Sequence, residues 1–313
     1  MLCKTLLKIN RQAPALVRTF VALRKPPTSA NAATMMNDQQ PLEEKATPGT
    51  TFKLTNDTLI SKKMVQLLEA DLDQGKSVKS LRAFNDTLSN LNESQFYEKM
   101  APVFGELGHN LESFNPVFTA CMLKVQMTLG FSDYKRRDES LQCLIQPLGG
   151  EYGLCAGYPL LKTHRALYSE WFQSVTGTAW EDFEAPEPEA SKDLFSKMMG
   201  DISSGGGSKD AMEQASYALG YNLAVEYLAA YEKQWLLDSF RKLDESFLQA
   251  QGRKVEWEFL EIHAEGEPVH AELGHRAVTS LVPSNHQHII AQAIRDHDND
   301  FANFYNHLNK LLK

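Results

Sequence analysis

Hydrophobic positions recur at steps of three and four residues along nearly the whole chain from about Thr55 onward. This spacing places apolar side chains on one face of an α-helix. It predicts helices over Leu59–Leu88, Ser94–Leu111, Phe114–Leu129, Arg136–Pro147, Thr163–Val175, Asp210–Leu243, Val255–Leu281 and Ser284–Leu312. Alternating runs of β-branched residues bounded by turn signals are absent from the sequence, so we expect an all-α fold without a sheet.

Two segments are predicted to be loops because glycine, proline and serine cluster in them. Gly149–Pro159 reads GGEYGLCAGYP, and Glu184–Ser208 contains EAPEPEAS and SSGGGS, a composition typical of a flexible excursion. Helical patterns of the same kind resume after both segments, so neither is interpreted as a domain linker. We therefore expect one all-helical domain over residues 55–313.

The first 34 residues contain six basic side chains and no acidic one. A basic, acid-free, amphipathic start is typical of a mitochondrial transit peptide. The alternatives are a disordered leader, or an upstream start on a protein that begins at Met35 or Met36. Residues 1–54 are interpreted as a disordered leader or targeting segment. The expected location is the cytoplasm or, after removal of residues 1–34, the mitochondrial matrix.

Charge and cysteine usage narrow the expected partners. A net charge of −8 argues against nucleic acid and anionic membranes. The sequence lacks a run of about eighteen apolar residues, so a membrane span is not expected. The four cysteines form no CxxC pair and are interpreted as reduced thiols of an intracellular protein. We expect a small-molecule substrate as partner and leave a homodimer open.

The strongest candidate for chemistry is the segment EIHAEGEPVHAELGH. His263, Glu267 and His270 are spaced four and three residues apart, so they share one helical face. Pro268 removes a backbone donor and crowds the carbonyl four residues earlier, so the helix is predicted to kink or open beside Glu267. Metal binding would then depend on local ordering, and Val255–His275 would be the least ordered core element without metal. The alternative is a capped helix break with solvated histidines.

Three other side chains are candidates in less distinctive surroundings. Glu226 borders the apolar stripe of ALGYNLAVEYLAAYEKQW, where an unpaired carboxylate is costly; alternatively it faces water. Glu151 and His164 bracket the glycine-rich loop and the start of the next helix. Alone, Glu151 is typical of a surface loop, and His164 of a helix end. A helical diiron site needs about six carboxylate and imidazole ligands from three or four helices.

In their order along the chain, these residues resemble the motifs of the haem-oxygenase-like diiron oxidases and oxygenases. That family has the patterns E-x-G, H-x-x-L-[FY], L-G-x-x-x-x-x-E and H-x-x-x-[DE]-x-x-H. This sequence has EYG at Glu151, HRALY at His164, LGYNLAVE ending at Glu226, and HAEGEPVH from His263 to His270. The match extends over residues 136–270. Glu267 stands where the family commonly has Asp, and Pro268 is unusual there.

The resemblance implies a bundle of about seven core helices, here with an N-terminal helical extension, that binds two ferrous ions and no haem. It implies O2-dependent oxidation of a small carboxylate- or amine-bearing substrate, by N-oxygenation, desaturation or C–C cleavage, or oxidative decarboxylation. Glu226 and Glu267 would be the bridging or shifting carboxylates. We expect Tyr152, Tyr221 and Trp257 to shape the substrate pocket. The implied metal ligands are Glu151, His164, Glu226, His263, Glu267 and His270.

Three alternatives remain open at the level of sequence. A ferritin-like diiron bundle would use Glu106-x-x-His109 together with Glu267-x-x-His270, although Gly108 inside the first motif costs about 1 kcal/mol of helix stability. A metal-free thiaminase-like or cofactor-synthesis relative would keep the fold without the metals. A non-enzymatic helical scaffold would carry its histidines by accident.

Several other histidines and acids are expected to have no role in the site. The segment RDHDND, Arg295–Asp300, is predicted to be a solvated charged face of the last helix. His286 and His288 near the start of that helix are predicted to be exposed. His275 is interpreted as a neighbour of the candidate triple and not as a ligand.

Overall fold

Nine α-helices make up the part of the chain that the structure, a computed structural model, describes, namely residues 59–128, 134–154 and 161–313. The predictions for residues 1–54 and for the end of the glycine-rich loop lie outside the described residues. The helices are α1 Lys62–Asp73, α2 Lys76–Leu88, α3 Glu93–Gln126, α4 Tyr134–Glu151, α5 His164–Thr176, α6 Ala190–Ser204, α7 Ala211–Leu243, α8 Glu258–Leu281 and α9 Gln287–Leu311.

The all-α prediction is confirmed. Within the described ranges β-pairing is limited to one isolated bridge between Leu59 and Pro283, and no strand forms. Among these helices none combines the length and the apolar character needed to span a membrane. The two cysteines in the described ranges, Cys121 and Cys143, are free thiols in the core.

Helix α7 is the central element of the bundle. It is 33 residues long, and every residue from Ala215 to Glu226 is buried. A helix that is apolar on all sides must be surrounded by other elements, and α7 packs against α2, α3, α8 and α9. A Cβ on Gly220 would lie 3.0 Å from Ile290 Cα, so this glycine allows α9 to approach closely. Helix α8 lies between α7 and α4 and also touches α5. Four helices therefore converge where the candidate ligands lie.

Several predicted helix boundaries differ from the structure. Leu59–Leu88 is two helices separated at Gln74–Gly75, and the break predicted near Leu111–Phe114 does not occur. Helix α3 runs through Pro102 and Pro116 without interruption. Its start is fixed by a capping box between Asn92 and Gln95.

The prediction of a flexible excursion over Glu184–Ser208 is wrong for Ala190–Ser204, which form α6. The Glu106 carboxylate on α3 accepts hydrogen bonds from the backbone nitrogens of Glu189, Ala190 and Ser191 at 2.9, 3.0 and 2.7 Å. These are free N–H groups of a helix start, where a negative charge is also favoured by the helix dipole. The cap comes from a residue more than 80 positions away, so local composition does not reveal it.

The RDHDND segment is not a solvated face, and this prediction is wrong. His297 is 1% exposed, and Arg295 is the one residue of the segment whose side chain is exposed. Asp298 accepts hydrogen bonds from the backbone nitrogens of Lys76 and Ser77, each at 3.0 Å, and so caps α2. The remaining two aspartates of the segment accept hydrogen bonds from tyrosine hydroxyls of α7. These acids hold helices together.

His286 and His288 have different environments. His288 is exposed, as predicted. His286 is buried, and its Nδ1 lies 2.9 Å from the Ser216 hydroxyl of α7, so the prediction of an exposed side chain is wrong for it.

Candidate metal centre

The end of α4 and the start of α5 bring Glu151 and His164 together. Glu151 is the last residue of α4 and not a loop residue, and Gly153 then turns the chain with a left-handed φ of 71°. Leu161 N donates to Gly153 O at 3.0 Å, so the two ends of the connection meet. The Thr163 side chain accepts from Ala166 N and starts α5 at His164. As a result, His164 Nδ1 lies 2.7 Å from Glu151 Oε1.

Helices α7 and α8 supply the other four candidates. Glu226 is 0% exposed, and its side chain lies beside Gly274 of α8, where an added Cβ would be 3.6 Å from Glu226 Cβ and Cγ. His263 and Glu267 are buried on α8, and His270 is partly buried one turn further along. The common helical face expected for these three residues is thus directed into the bundle.

The six predicted residues form two adjoining groups. Ligand atoms of Glu151, His164 and His263, the first group, all lie within 4.8 Å of one another, and so do those of Glu226, Glu267 and His270, the second group. The His164 and His263 rings are 4.3 Å apart between centroids. The groups are joined through α8, which contributes to both.

The hydrogen bonding of His263 fixes its tautomer. Its Nδ1 lies 2.6 Å from the Phe259 carbonyl oxygen, and because a carbonyl only accepts, Nδ1 carries the proton. The Nε2 lone pair is then free, which is the form in which imidazole binds a metal. Burial, followed by the positive charges of His164 and Lys233, holds the pKa of His263 well below its ordinary value. The ring therefore stays neutral.

Glu226 is a fully buried acid that receives no hydrogen bond from the residues that the structure describes. Neither of its carboxylate oxygens has a hydrogen-bond partner within the described part of the chain. Burial raises the pKa of Glu226 well above its ordinary value; Glu267 and Glu151 add to the increase and His270 opposes it. Because an unpaired buried carboxylate is costly, such a group is normally paired with a cation.

His270 is the cationic neighbour within the second group. Its Nδ1 lies 3.1 Å from Glu267 Oε2 and 3.8 Å from Glu226 Oε2. Burial alone would lower the pKa of His270, but the hydrogen bond and charge of Glu267, with Glu226 and Glu151, raise it to about 9. A metal ion at this group would take the place of that proton.

The donor set fits a pair of divalent transition-metal ions. Three carboxylates and three imidazoles are ligands typical of non-haem iron. Four of the six are buried, namely Glu226, His263 and Glu267 at 0%, 3% and 4% exposure and Glu151 at 7%, so most of the site is removed from water. Two divalent ions would offset three buried negative charges and give the Glu226 oxygens the partners that the protein does not provide.

Other residues singled out from the sequence lie elsewhere. Tyr152 is 53% exposed. Tyr221 packs edge-on against His297 and donates a hydrogen bond to Asp300, so these contacts of Tyr221 are with α9. His275 pairs with Glu69 at 2.9 Å and belongs to neither group, in agreement with its interpretation as a neighbour.

Two further expectations concern the helices of the site. Helix α8 continues through Pro268 from Glu258 to Leu281, so the helix does not open beside Glu267. Lys233 was not among the candidate site residues predicted from the sequence. It lies on α7 seven residues after Glu226 and interacts electrostatically with both groups. A helical repeat of seven, which returns to the same face, is the signal that could have found it.

Comparison with known proteins identifies structures with a similar fold but no matching sequence family. No family model matches the chain, and no curated protein does. Two crystal structures of a CADD-like protein of unknown function from Nostoc punctiforme are similar, at 15% identity and TM-scores of 0.60 and 0.58. They cover 79% and 80% of this chain, and 96% and 94% of their own. At this identity the likeness shows the fold alone: the chain has the helical fold of that CADD-like protein.

Proposed function

We propose that the chain is a non-haem diiron oxidase or oxygenase that uses O2 to oxidise a small carboxylate- or amine-bearing molecule. The observation that carries the proposal is the fully buried Glu226 carboxylate, which has no hydrogen-bond partner in the described ranges and belongs to one of two adjoining groups of possible ligands. The haem-oxygenase-like diiron fold, to which CADD-like proteins belong, agrees with the sequence motifs that frame these six residues.

Each group would hold one iron. Glu151, His164 and His263 would hold the first ion, and Glu226, Glu267 and His270 the second. Two ferrous ions, when bound, would supply two of the four electrons that full reduction of O2 requires, and oxidation of the substrate would supply the other two. The chain contributes neutral imidazoles, of which His263 is fixed by Phe259, and a largely buried site in which competing reactions with water are suppressed.

The ferritin-like alternative is less consistent with the structure. It needs Glu106 as a ligand, but both oxygens of this carboxylate accept hydrogen bonds from the start of α6. A scaffold without metal would leave the Glu226 carboxylate buried and unpaired at a cost of several kcal/mol.

Anaerobic loading with ferrous iron tests the proposal. After removal of excess metal, we expect two irons per wild-type chain and about one or fewer in H164A and H270A, which take one histidine from each group. H109A is the matched control, because His109 belongs to the ferritin-like motif and to neither group; it should keep two irons.

Mixing the iron-loaded protein with O2 then tests the chemistry. A transient visible absorbance and O2 uptake that depend on an added carboxylate or amine are expected in stopped-flow measurements. Wild-type protein that retains no iron, or H109A that loses as much as H164A, would overturn the assignment.

A further inference from the structure

Lys233 is a lysine within the bundle whose position relates it to the two groups. It follows Glu226 by seven residues on α7, so both side chains leave the same helical face, about 10 Å apart along the axis. Lysine side chains lean towards the helix N-terminus, which here is the direction of Glu226. The Lys233 side chain is 17% exposed.

The Lys233 ammonium is held in place by Glu232 of the same helix, which is itself held by a residue of α9. Its Nζ lies 2.8 Å from Glu232 Oε2, and the Glu232 side chain is 4% exposed. The other oxygen of Glu232 accepts a hydrogen bond from the Tyr305 hydroxyl of α9, which is fully buried. Because Tyr305 fixes the carboxylate and the carboxylate fixes the ammonium, Lys233 is preorganised.

The positive charge of Lys233 interacts with residues of both groups of candidate ligands. Burial alone would lower the pKa of Lys233, but the Glu232, Glu267 and Glu151 carboxylates outweigh it and raise the pKa, so the side chain is protonated at neutral pH. Lys233 in turn contributes to lowering the pKa of His263. The ammonium thus interacts with members of both groups while retaining donors beyond the one that faces Glu232.

We infer that Lys233 binds the carboxylate of the substrate and so positions its carbon skeleton beside the two metal groups. This inference rests on the proposed diiron function and narrows its substrate class to small monocarboxylates. A substrate amine would meet a fixed ammonium, which repels it. A phosphate dianion would add two negative charges beside Glu267 and Glu151, whereas a monocarboxylate adds one and can use the ammonium donors that Glu232 leaves free.

Calorimetric titration of the anaerobic, ferrous-loaded full chain tests this inference without turnover. The probes are acetate, hexanoate and benzoate, each with its matched amide and amine, and inorganic phosphate. We expect wild-type protein to bind at least one carboxylate about tenfold or more tightly than its amide, amine or phosphate. K233M should lose that preference, whereas K233R should keep most of it. K242M, which removes an exposed lysine of the same helix, is the matched control and should behave as wild type.

Iron content, measured on every variant, separates the two proposals. Two irons with a carboxylate preference that K233M leaves unchanged would overturn the role of Lys233 and indicate binding to the metals themselves. Wild-type protein that binds none of the carboxylates, or prefers amines or phosphate, would also overturn it. Loss of iron in wild type would instead refute the diiron function. The double variant E232Q/K233M removes the pair together and covers the case in which K233M, left with an unpaired Glu232, does not fold.

Discussion

Glu106 and Glu226 are two buried glutamates on long helices that pack against each other, and their surroundings are opposite. Glu106 is 3% exposed and accepts three backbone hydrogen bonds at the start of α6. Glu226 is 0% exposed, and its carboxylate has no hydrogen-bond partner in the described ranges. Burial would raise the pKa of both acids. Hydrogen bonds from α6 outweigh burial and lower the pKa of Glu106, whereas neighbouring carboxylates raise that of Glu226 further.

The difference separates a buried acid whose hydrogen bonds the fold provides from one that receives none from the described part of the chain, which under our proposal binds metal. A carboxylate with a full set of donors stabilises the helix that provides them. A carboxylate without donors destabilises the protein unless something outside the chain binds it. In sequence the two residues look alike, since each lies in a long apolar helical segment.

Exchanging each acid for its amide should give the largest contrast. We expect E226Q to bind the second iron about 100-fold more weakly, because the amide loses the charge that holds the metal. The same substitution removes an acid whose pKa is raised by burial, and such a group destabilises the fold above its ordinary pKa, so metal-free E226Q should be more stable than metal-free wild type at pH 7. E106Q should show the reverse, with iron retained and stability lowered. Iron content and urea unfolding of the metal-free proteins measure both effects. E226Q with full iron and unchanged stability would remove the distinction between the two acids.

The pH dependence of iron affinity should reflect the protons that the second group holds. In the metal-free protein His270, with its pKa raised to about 9, is protonated at pH 7, and Glu226 also holds its proton to a higher pH than usual. Iron must displace these protons, so affinity should rise about tenfold per pH unit for each proton released, and the His270 contribution should end above pH 9.

Competition with a chelator at pH 6, 7 and 8 measures this slope, and proton release can be read from titrations in buffers of different ionisation enthalpy. H109A should follow the wild-type slope. An affinity that does not change with pH would show that the second group is already deprotonated.

Glu106 should affect the pH dependence of stability and not that of iron affinity, and its effect should be smaller than that of the second group. Its folded-state pKa lies below the ordinary 4.5, so its stabilisation is present above pH 4.5 and is lost as pH falls through the folded value. We expect E106Q to cost about 2 kcal/mol at pH 7 and progressively less below pH 4.5. Urea unfolding at both pH values, with hydrogen exchange of α6, measures it. A cost that stays constant down to low pH would assign the effect to packing.

The sequence predicted the all-α class and identified six candidate residues, which the structure places in two groups. Glu226 and the α8 triple could be found because helical spacing is a local property. What it missed depends on contacts between distant segments. Glu106 caps the start of α6 from more than 80 residues away, and Asp298 caps α2 from more than 200 residues away. Composition alone suggested loops and solvated faces in these places.

Two glycines, Gly220 within α7 and Gly274 on the adjacent α8, allow the finest test of how much room Glu226 needs. In G274A the new Cβ would lie 3.6 Å from Glu226 Cβ and Cγ, an ordinary contact, so the substitution should stabilise the metal-free protein by about 0.5–1 kcal/mol through helix propensity. In G220A the Cβ would lie 3.0 Å from Ile290 Cα, and overpacking against a backbone atom should destabilise by about 1–3 kcal/mol. Thermal unfolding measures both, and each variant should keep two irons. If G274A is stabilised yet loses iron or O2 uptake, the Glu226 carboxylate needs the space beside Gly274 to move during the reaction, and the contrast with Glu106 is then one of mobility as well as of partners.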